Sequence, residues 1–337
     1  MTDKKRVLSG MQTTGKLHLG NLLGALNNWV SMQDEFECYY FAADWHTLAT
    51  SYEDTNDLAD NLADLGVNWL SAGLDPGKSV LFVQSLVPEH AVLHLLLSML
   101  TPISWLERVP SYKEKLQQVV NKDLSMYGFL GYPVLQAADI VIYKAHFVPV
   151  GIDQLPHLEL TREIVRRFHD TYKRKVFIEP EGKMSEVPKL PGVDGRKMSK
   201  SYGNAIYLSD SSKEMKTKIL NIVTDPARVR KTDPGDPEKC VAYSFHKVFS
   251  PDDENELTIK ECKSAGRGCV DCKKFLSVNI FKYLEPILEK RAYWEQRPKE
   301  VYDILKAGSE KARKVAKQTL AEAEDAIGFS YSKKLLG

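Results

Sequence analysis

The sequence lacks a long apolar run and an excess of one charge, and both absences limit what the protein does. No apolar stretch approaches the roughly 20 residues that a membrane-spanning helix requires. Residues 1–6 are rich in charge and lead directly into a short apolar segment, so we expect a cytoplasmic protein with no membrane partner. The 46 Lys and Arg residues nearly balance the 45 Asp and Glu residues, which excludes a strongly basic nucleic-acid-binding protein but not a local basic patch.

Cysteine is scarce and unevenly distributed. The chain has five cysteines, and four of them lie between Cys240 and Cys272. Because disulfides are rare in the cytoplasm, a metal centre is the leading interpretation of this cluster. The chain needs no metal merely to fold, since 337 residues can bury a full core and have the length of about two domains.

Apolar patterns in the first half of the chain alternate between short strands and helices. The pattern predicts strands over residues 6–8, 37–43 and 80–83, and helices over residues 18–32, 56–70 and 89–99. Beyond residue 208 helical patterns dominate, over residues 213–222, 275–290 and 309–327. Alternating strands and helices favour a parallel sheet built by right-handed crossovers. We therefore predict an α/β domain over residues 1–207 and a mostly helical domain over residues 208–337.

Two loops have the composition of phosphate-binding segments. Residues 9–21 join the first strand to the first helix, where free backbone N–H groups and a helix N-terminus favour an anion. Residues 195–204 carry Lys197 and Lys200, a spacing that suits a clamp on phosphate. Taken singly, the first loop equally fits an ordinary glycine-rich turn, and the second fits solvated surface.

Together the two loops are far more specific. His18-Leu19-Gly20-Asn21 resembles the HIGH signature of class I aminoacyl-tRNA synthetases, and residues 197–201 match the KMSKS signature letter for letter. The resemblance runs along nearly the whole chain. Within this class, the sequence resembles the compact bacterial tryptophanyl family most, on the basis of residues 44–46, 132–143 and 148–154. The tyrosyl family is the alternative. The resemblance implies a Rossmann-type catalytic domain that precedes a helical anticodon-binding domain.

The resemblance also implies which residues bind ATP. Lys197 and Lys200 would stabilise the pyrophosphate, Asp153 would accept hydrogen bonds from the ribose hydroxyls, and Mg²⁺ would accompany the phosphates. The implied catalytic residues are His18, Asn21, Lys115, Lys197 and Lys200. The implied ATP-binding residues are Gln12, Thr13, Thr14, Gly20, Asn21, Gly151, Ile152, Asp153, Val187, Lys197, Met198, Ser199, Lys200 and Ser201.

Three polar residues share one face of a predicted helix over residues 133–143. Tyr132, Gln136 and Asp139 follow i, i+4, i+7 spacing on an otherwise apolar segment. A buried acid needs a donor, which an indole N–H, a tyrosine hydroxyl or a neighbouring loop can supply. The resemblance assigns Asp139 to the indole of tryptophan. The implied tryptophan-binding set is Asp139, Tyr132, Gln136, Gln154, His46 and Leu8. The Tyr, Gln and Asp set also resembles archaeal-type tyrosyl enzymes, so tyrosine stays an alternative.

The four clustered cysteines have metal-ligand spacing, C-x21-C-x6-C-x2-C. The candidate ligands are Cys240, Cys262, Cys269 and Cys272. Four thiolates suit tetrahedral Zn²⁺ or a [4Fe–4S] cluster, and spacing alone does not choose between them. A subset of bacterial tryptophanyl enzymes resembles this sequence in carrying a [4Fe–4S] site here, which favours the cluster. Neighbouring cations suit tRNA phosphates: Arg228, Arg230, Lys231, Arg267, Lys273 and Lys274. Cys38, in a predicted strand, reads as a core thiol.

The resemblance implies a ligase that activates L-tryptophan with ATP and transfers it to tRNA(Trp), working as a homodimer. An iron–sulfur redox or regulatory protein on a synthetase scaffold is a second hypothesis, but it leaves residues 197–201 unexplained. A catalytically inactive relative that binds tRNA or tryptophan is a third. The presence of His18, Asn21, Lys197 and Lys200 argues against it.

Overall fold

A computed structural model describes residues 4–110, 126–184, 190–329 and 331, and a five-stranded parallel sheet forms its centre. The strands are β1 (Arg6–Met11), β2 (Glu37–Ala42), β3 (Ser79–Val83), β4 (Phe147–Val150) and β5 (Glu181–Met184). Their order across the sheet is β3-β2-β1-β4-β5, and every neighbouring pair is parallel. This is the doubly wound order of nucleotide-binding folds, which confirms the predicted α/β, Rossmann-type class.

The helices of the first half connect these strands. Helix α1 (Leu19–Asn21) continues through a π-helical segment, Leu22–Leu26, into α2 (Asn27–Met32). The others are α3 (Asp44–Ser51), α4 (Leu58–Ala72), α5 (Glu89–Ser98), α6 (Ile103–Glu107), α7 (Tyr127–Ile142) and α8 (Leu155–Tyr172). The C-terminal part contains α9 (Ser212–Leu220), α10 (Val241–Phe249), α11 (Asp252–Lys263), α12 (Cys269–Glu295) and α13 (Pro298–Ile327).

Strand β1 is longer than its apolar letters predict. Ser9, Gly10 and Met11 continue the parallel pairing with β2, so the first three residues of the predicted loop over residues 9–21 belong to the strand. Gly10 lies in the strand because a Cβ there would overlap the ring of Phe41 on the neighbouring strand. The glycine thus marks a close approach between side chain and backbone, where composition alone indicated a turn.

Both faces of the sheet are buried, and alternate residues of each strand serve opposite cores. Val7 and Tyr40 pack with α2 and α4 on one face, whereas Leu8 and Phe41 pack with α5 and α7 on the other. On the first face the ring of Trp29 stacks on Tyr40 with a centroid distance of 4.5 Å. Because helices cover both faces of the sheet, nearly every residue of β2 and β3 is buried, which explains their continuous apolar runs in the sequence.

The C-terminal helices pack back onto the sheet. Gly308 of α13 lies directly on β3, since a Cβ there would overlap the carbonyl oxygen of Leu81. Next to it, the hydroxyl of Ser309 accepts a hydrogen bond of 3.1 Å from the backbone N–H of Val83. Arg291 of α12 is buried and donates to Asn68 on α4 over 2.7 Å. Among the described helices, none is at once long and apolar enough to cross a membrane.

Candidate functional site

A cavity of about 360 Å³ opens at the carboxyl ends of β1 and β4, the edge at which parallel sheets bind ligands. Its lining mixes polar and apolar side chains from the strands and from the segments that follow them. All six residues of the implied tryptophan-binding set line it: Leu8, His46, Tyr132, Gln136, Asp139 and Gln154. The structure therefore brings together residues that are up to 146 positions apart, from Leu8 to Gln154.

Asp139 lies in the wall of this cavity and is 1% exposed. Its Oδ1 accepts hydrogen bonds from Gln84 Nε2 at 2.8 Å and His90 Nδ1 at 2.6 Å. Its Oδ2 accepts from His46 Nε2 at 2.7 Å and again from Gln84 Nε2 at 3.0 Å. Burial raises the pKa of Asp139, but the hydrogen bonds from His46 and His90 outweigh burial and bring the pKa below its ordinary value.

The ionised carboxylate also fixes the protons of its neighbours. Because a carboxylate only accepts, His90 donates from Nδ1 to Asp139, and its Nε2 lies 2.6 Å from the Tyr143 hydroxyl. Burial raises the pKa of Tyr143 far above its ordinary range, so this hydroxyl keeps its proton. Gln84, His90 and Tyr143 were not among the residues predicted for this site. Gln84 directly follows the last residue of β3, which was an overlooked sequence signal for a position at the ligand edge.

The carboxylate of Asp139 has about four acceptor positions, and four hydrogen-bond contacts occupy them. Gln84 and His90 are fully buried, whereas His46 borders the main cavity and a second, apolar cavity of about 340 Å³. His46 is therefore the donor with space to move. A ligand that donates a hydrogen bond to Asp139 has to displace it from Oδ2.

The first signature loop is ordered by reciprocal capping. His18 is the N-cap of α1: its Nδ1 accepts from the backbone N–H of Asn21 at 3.3 Å, and Asn21 Oδ1 accepts from the backbone N–H of His18 at 3.1 Å. Burial lowers the pKa of His18, which favours the neutral ring. Since Nδ1 accepts, the proton of this neutral ring lies on Nε2.

The structure also brings the second signature loop onto the first. Lys200 Nζ donates to the carbonyl oxygen of Thr14 at 3.3 Å. Gly15 has a φ of +119°, and a Cβ there would lie 2.6 Å from Lys200 Nζ, so this glycine admits the lysine. Thr13 is buried beneath the loop, where its N–H and hydroxyl bind Thr47 at 3.0 Å. Thr13 thus holds the loop through Thr47, and its contact with ATP stays a prediction.

The structure describes some, but not all, of the remaining residues that were predicted to bind ATP. Gly151 to Asp153 lie between β4 and α8, and Ile152 is 72% exposed, so most of its side chain faces solvent. Met198 is buried, with its Sδ 3.7 Å from the place of a Cβ on Gly20, which joins the two signatures through an apolar contact. Lys115 and Val187 lie outside the described residues.

The four clustered cysteines line a small cavity of about 30 Å³ in the helical part. Cys240 precedes α10, Cys262 lies in the last turn of α11, and Cys269 and Cys272 lie in the first turn of α12. Within the described ranges, no three His, Cys, Asp or Glu side chains are arranged to hold a single metal ion. Cys38 is separate and 1% exposed in β2, as a core thiol should be.

Cations and one histidine surround this cysteine cavity. Arg228 Nη1 lies 3.9 Å from Cys262 Sγ, and His246 Nε2 lies 3.3 Å from Cys272 Sγ. Burial raises the pKa of the Cys272 thiol to about 12, and Cys240 adds to the rise. Arg228, Arg267 and Lys273 line the cavity, and their contact with tRNA phosphates stays a prediction. His246, buried between Cys272 and Ser250, was not identified from the sequence.

Comparison with known proteins agrees with this geometry. Residues 1–285 match the model of class I tRNA synthetases for tryptophan (W) and tyrosine (Y). The chain is 53% identical to tryptophan–tRNA ligase of Thermotoga maritima, with 97% of this chain and 100% of that protein covered. It is 43% identical to tryptophan–tRNA ligase of Aquifex aeolicus, with 96% and 100% covered.

A solved structure of a tryptophanyl-tRNA synthetase is also similar to this chain. Tryptophanyl-tRNA synthetase of Campylobacter jejuni, in complex with ADP and tryptophan, superposes with a TM-score of 0.87 at 35% identity. The superposition covers 96% of this chain and 99% of that one. The shared sheet order, the two signature loops at one edge and the full-length similarity show that the chain belongs to the tryptophanyl-tRNA synthetase family of the class I tRNA synthetases.

Proposed function

We propose that the protein is a tryptophan–tRNA ligase, which forms tryptophanyl-adenylate and pyrophosphate from L-tryptophan and ATP and then transfers the tryptophanyl group to tRNA(Trp). One observation carries this proposal. The ionised, buried Asp139 lies in the wall of an apolar cavity, and the two signature loops meet at the same edge of the sheet. The arrangement holds an aromatic amino acid with a ring donor beside a site for polyphosphate.

The chemistry requires positioning and cations more than a general base. The attacking carboxylate of tryptophan is already ionised, so the protein needs only to align it with the α-phosphate of ATP. Lys197 and Lys200 stabilise the charge that develops on the pyrophosphate. The neutral His18 donates from Nε2 to a phosphate oxygen, and Asp153 accepts from the ribose hydroxyls. Mg²⁺ bound to the phosphates of ATP supplies additional positive charge.

The choice between tryptophan and tyrosine depends on Asp139. An indole N–H replaces His46 Nε2 at Oδ2, so the number of hydrogen bonds to the buried carboxylate is conserved. A tyrosine hydroxyl is also a donor, which keeps tyrosine as the alternative substrate. His46, once displaced, lies near the amino and carboxylate groups of the amino acid with Gln154.

The test is tryptophan-dependent ATP–pyrophosphate exchange by the full-length protein, purified without oxygen. Three reactions are compared, with tryptophan, with tyrosine and with no amino acid. Exchange with tryptophan alone supports the proposal. Exchange with tyrosine overturns the substrate and keeps the reaction class, whereas no exchange with either favours the regulatory alternative.

We further propose that the four cysteines hold a [4Fe–4S] cluster, with Zn²⁺ as the alternative. Four thiols line one cavity, and the guanidinium of Arg228 beside Cys262 offsets part of the negative charge of four thiolates. Four thiols around one cavity suit either centre, and the resemblance to cluster-bearing tryptophanyl enzymes favours the [4Fe–4S] cluster. Such a centre ties α10, α11 and α12 together.

Iron, acid-labile sulfide and zinc content of the anaerobic protein tests this centre. About four iron atoms per chain support the cluster, and one zinc atom supports the alternative. Cys38→Ala, in the core strand β2, is the matched control and should leave the metal content unchanged. A protein with neither metal, purified under both conditions, would show that the cysteines are reduced thiols.

We also propose that the protein is a homodimer that binds tRNA through its helical domain, residues 208–337. Large apolar side chains are exposed on α5, α6 and the turns beside them: Leu86, Val92, Leu95, Met99 and Ile103. Such a patch is typical of a subunit interface. Light scattering of the wild type against Leu95→Glu tests the dimer, and a monomeric wild type would contradict it.

A further inference from the structure

We infer that Asn204, which lies outside the five letters of the KMSKS signature, is the positioning residue that holds this loop so that Lys197 and Lys200 face the phosphates. The inference rests on the proposed adenylate-forming function. Asn204 is 2% exposed and touches the side chain of neither lysine. It acts through the backbone of the loop.

The side-chain amide of Asn204 binds the signature loop at two points. Its Oδ1 accepts from the backbone N–H of Ser199 at 2.9 Å, and its Nδ2 donates to the carbonyl oxygen of Lys197 at 3.1 Å. These two bonds lie on either side of Met198. They fix the direction of the backbone that separates Lys197 from Lys200.

The same amide ties the loop to the chain that precedes it. Asn204 Nδ2 also donates to Asp194 Oδ1 at 2.7 Å, and the carbonyl oxygen of Asn204 accepts from the backbone N–H of Val193 at 3.0 Å. Asp194 in turn accepts from the backbone N–H of Arg196 at 3.0 Å. We call Gly192, Asp194 and Asn204 the amide clasp.

Gly192 makes the clasp sterically possible. A Cβ at residue 192 would overlap the side-chain amide of Asn204, and Gly192 has an ordinary φ, so its role is space and not backbone strain. Both donor hydrogens and the acceptor oxygen of Asn204 are used within the loop. A buried amide whose hydrogen bonds are all made to one loop specifies one conformation of that loop.

The clasp has a functional consequence because the loop it shapes reaches the other signature. Lys200 follows the second clasped position, Ser199, and its Nζ donates to Thr14 over 3.3 Å. A displacement of the backbone at Ser199 therefore moves the ammonium group away from the phosphate site. Misplacement by about 1 Å costs a reaction on the order of 100-fold.

The test is Asn204→Asp, which keeps shape and the acceptor for Ser199 but loses both donors and places a carboxylate against Asp194. We expect kcat of tryptophan-dependent ATP–pyrophosphate exchange to fall on the order of 100-fold. The KM for tryptophan should change less than about threefold, because the clasp is remote from the Asp139 cavity. Transfer of tryptophan from preformed adenylate to tRNA should stay unchanged, since pyrophosphate has already left.

Two matched variants separate positioning from folding. Asp194→Asn combined with Asn204→Asp exchanges donor and acceptor between the two side chains, and should recover about tenfold of the loss if the clasp acts as proposed. Asn68→Asp changes another buried amide, which binds Asp64 and Arg291 far from the loop, and should leave kcat unchanged.

Trypsin gives a readout that does not depend on activity. Cleavage after Lys197 and Lys200 should be faster in Asn204→Asp than in the wild type or in Asn68→Asp. Full exchange activity in Asn204→Asp, equal losses in Asn204→Asp and Asn68→Asp, or no recovery in the double variant would overturn the inference. A wild-type protein that shows no exchange overturns the proposed function, and this inference with it.

Discussion

Asp139 and Cys272 are both buried, ionisable and surrounded by polar groups, yet their surroundings shift their ionisation in opposite senses. Three side chains donate to Asp139, which brings its pKa below the ordinary value despite full burial. Cys272 has one contact with His246 Nε2 at 3.3 Å and neighbouring thiols, and its pKa rises to about 12. The Asp139 cavity is thus preorganised by the protein alone, whereas the cysteine cavity holds thiols that the proposed metal centre would stabilise as thiolates.

The largest effect is expected for Asp139→Asn, which removes the charge of the buried carboxylate but keeps the shape of the side chain. The amide keeps one acceptor oxygen for the three donors His46, His90 and Gln84, so two of their hydrogen bonds are lost at a cost of about 1.5–3 kcal/mol each. We expect kcat/KM for tryptophan in the exchange reaction to fall roughly 100- to 10,000-fold. A loss below tenfold would show that the buried charge does not define the amino-acid site.

A substrate analogue tests whether the ring N–H of tryptophan replaces His46 at Asp139. A tryptophan analogue in which sulfur replaces the indole N–H cannot take the place of His46 at Asp139. Calorimetry should show binding roughly 10- to 150-fold weaker than tryptophan in the wild type, which is the cost of one charged hydrogen bond. The difference should shrink in Asp139→Asn. Equal binding of both ligands to the wild type would mean that His46 stays in place and Asp139 does not contact the ring.

Cys262→Ser tests the other half of the comparison. We expect loss of the bound centre and a fall of at least about 2 kcal/mol in the free energy of unfolding, because the link between α10, α11 and α12 is lost. Tryptophan-dependent exchange should stay within about threefold of the wild type. Urea denaturation and exchange assays measure both, with Cys38→Ala as the control. A large loss of exchange with unchanged stability would show that the cysteine cavity affects catalysis at the Asp139 cavity, and would contradict the expectation that the two act independently.

The smallest expected effect is on stability in acid. Since the folded pKa of Asp139 lies below its unfolded value of 3.8, the unfolded chain binds more protons between the two values. The stabilisation is therefore complete above pH 3.8 and is lost as the pH falls through the folded pKa. Urea denaturation from pH 6 down to about pH 2 should show a shallower acid-side decline for Asp139→Asn than for the wild type. If the free energy of unfolding depends on pH in the same way in both proteins, the ionised carboxylate of Asp139 contributes no net stability.

Local sequence predicted most elements but not all of their bounds. The predicted strand over residues 80–83 and helix over residues 89–99 match β3 and α5 closely, because short apolar runs and helical spacing are local signals. The predicted strand over residues 6–8 ended three residues early, because the pairing of Gly10 with Phe41 depends on a neighbouring strand. The π-helical segment of residues 22–26 has no signal in the apolar pattern.

The candidate site divides in the same way. Tyr132, Gln136 and Asp139 were predicted to share one face, and all three line the cavity. The partners of Asp139 come from α3, the turn after β3, and α5, and no spacing within one helix reveals them. Likewise, the sequence identified Arg228 and Lys273 as cations, whereas only the tertiary structure places them beside the cysteines.

The amino-acid sequence by itself determined the chemical groups: two signature loops, a carboxylate on an apolar helix, and four thiols at metal-ligand spacing. Only the tertiary structure decided which donors reach Asp139, which amide shapes the second signature loop, and which cations border the cysteines. The physical reason is that residue type fixes what a side chain can donate or accept, whereas its partner depends on contacts between distant segments. Those contacts decide whether burial leaves a group charged, as at Asp139, or neutral, as at Cys272.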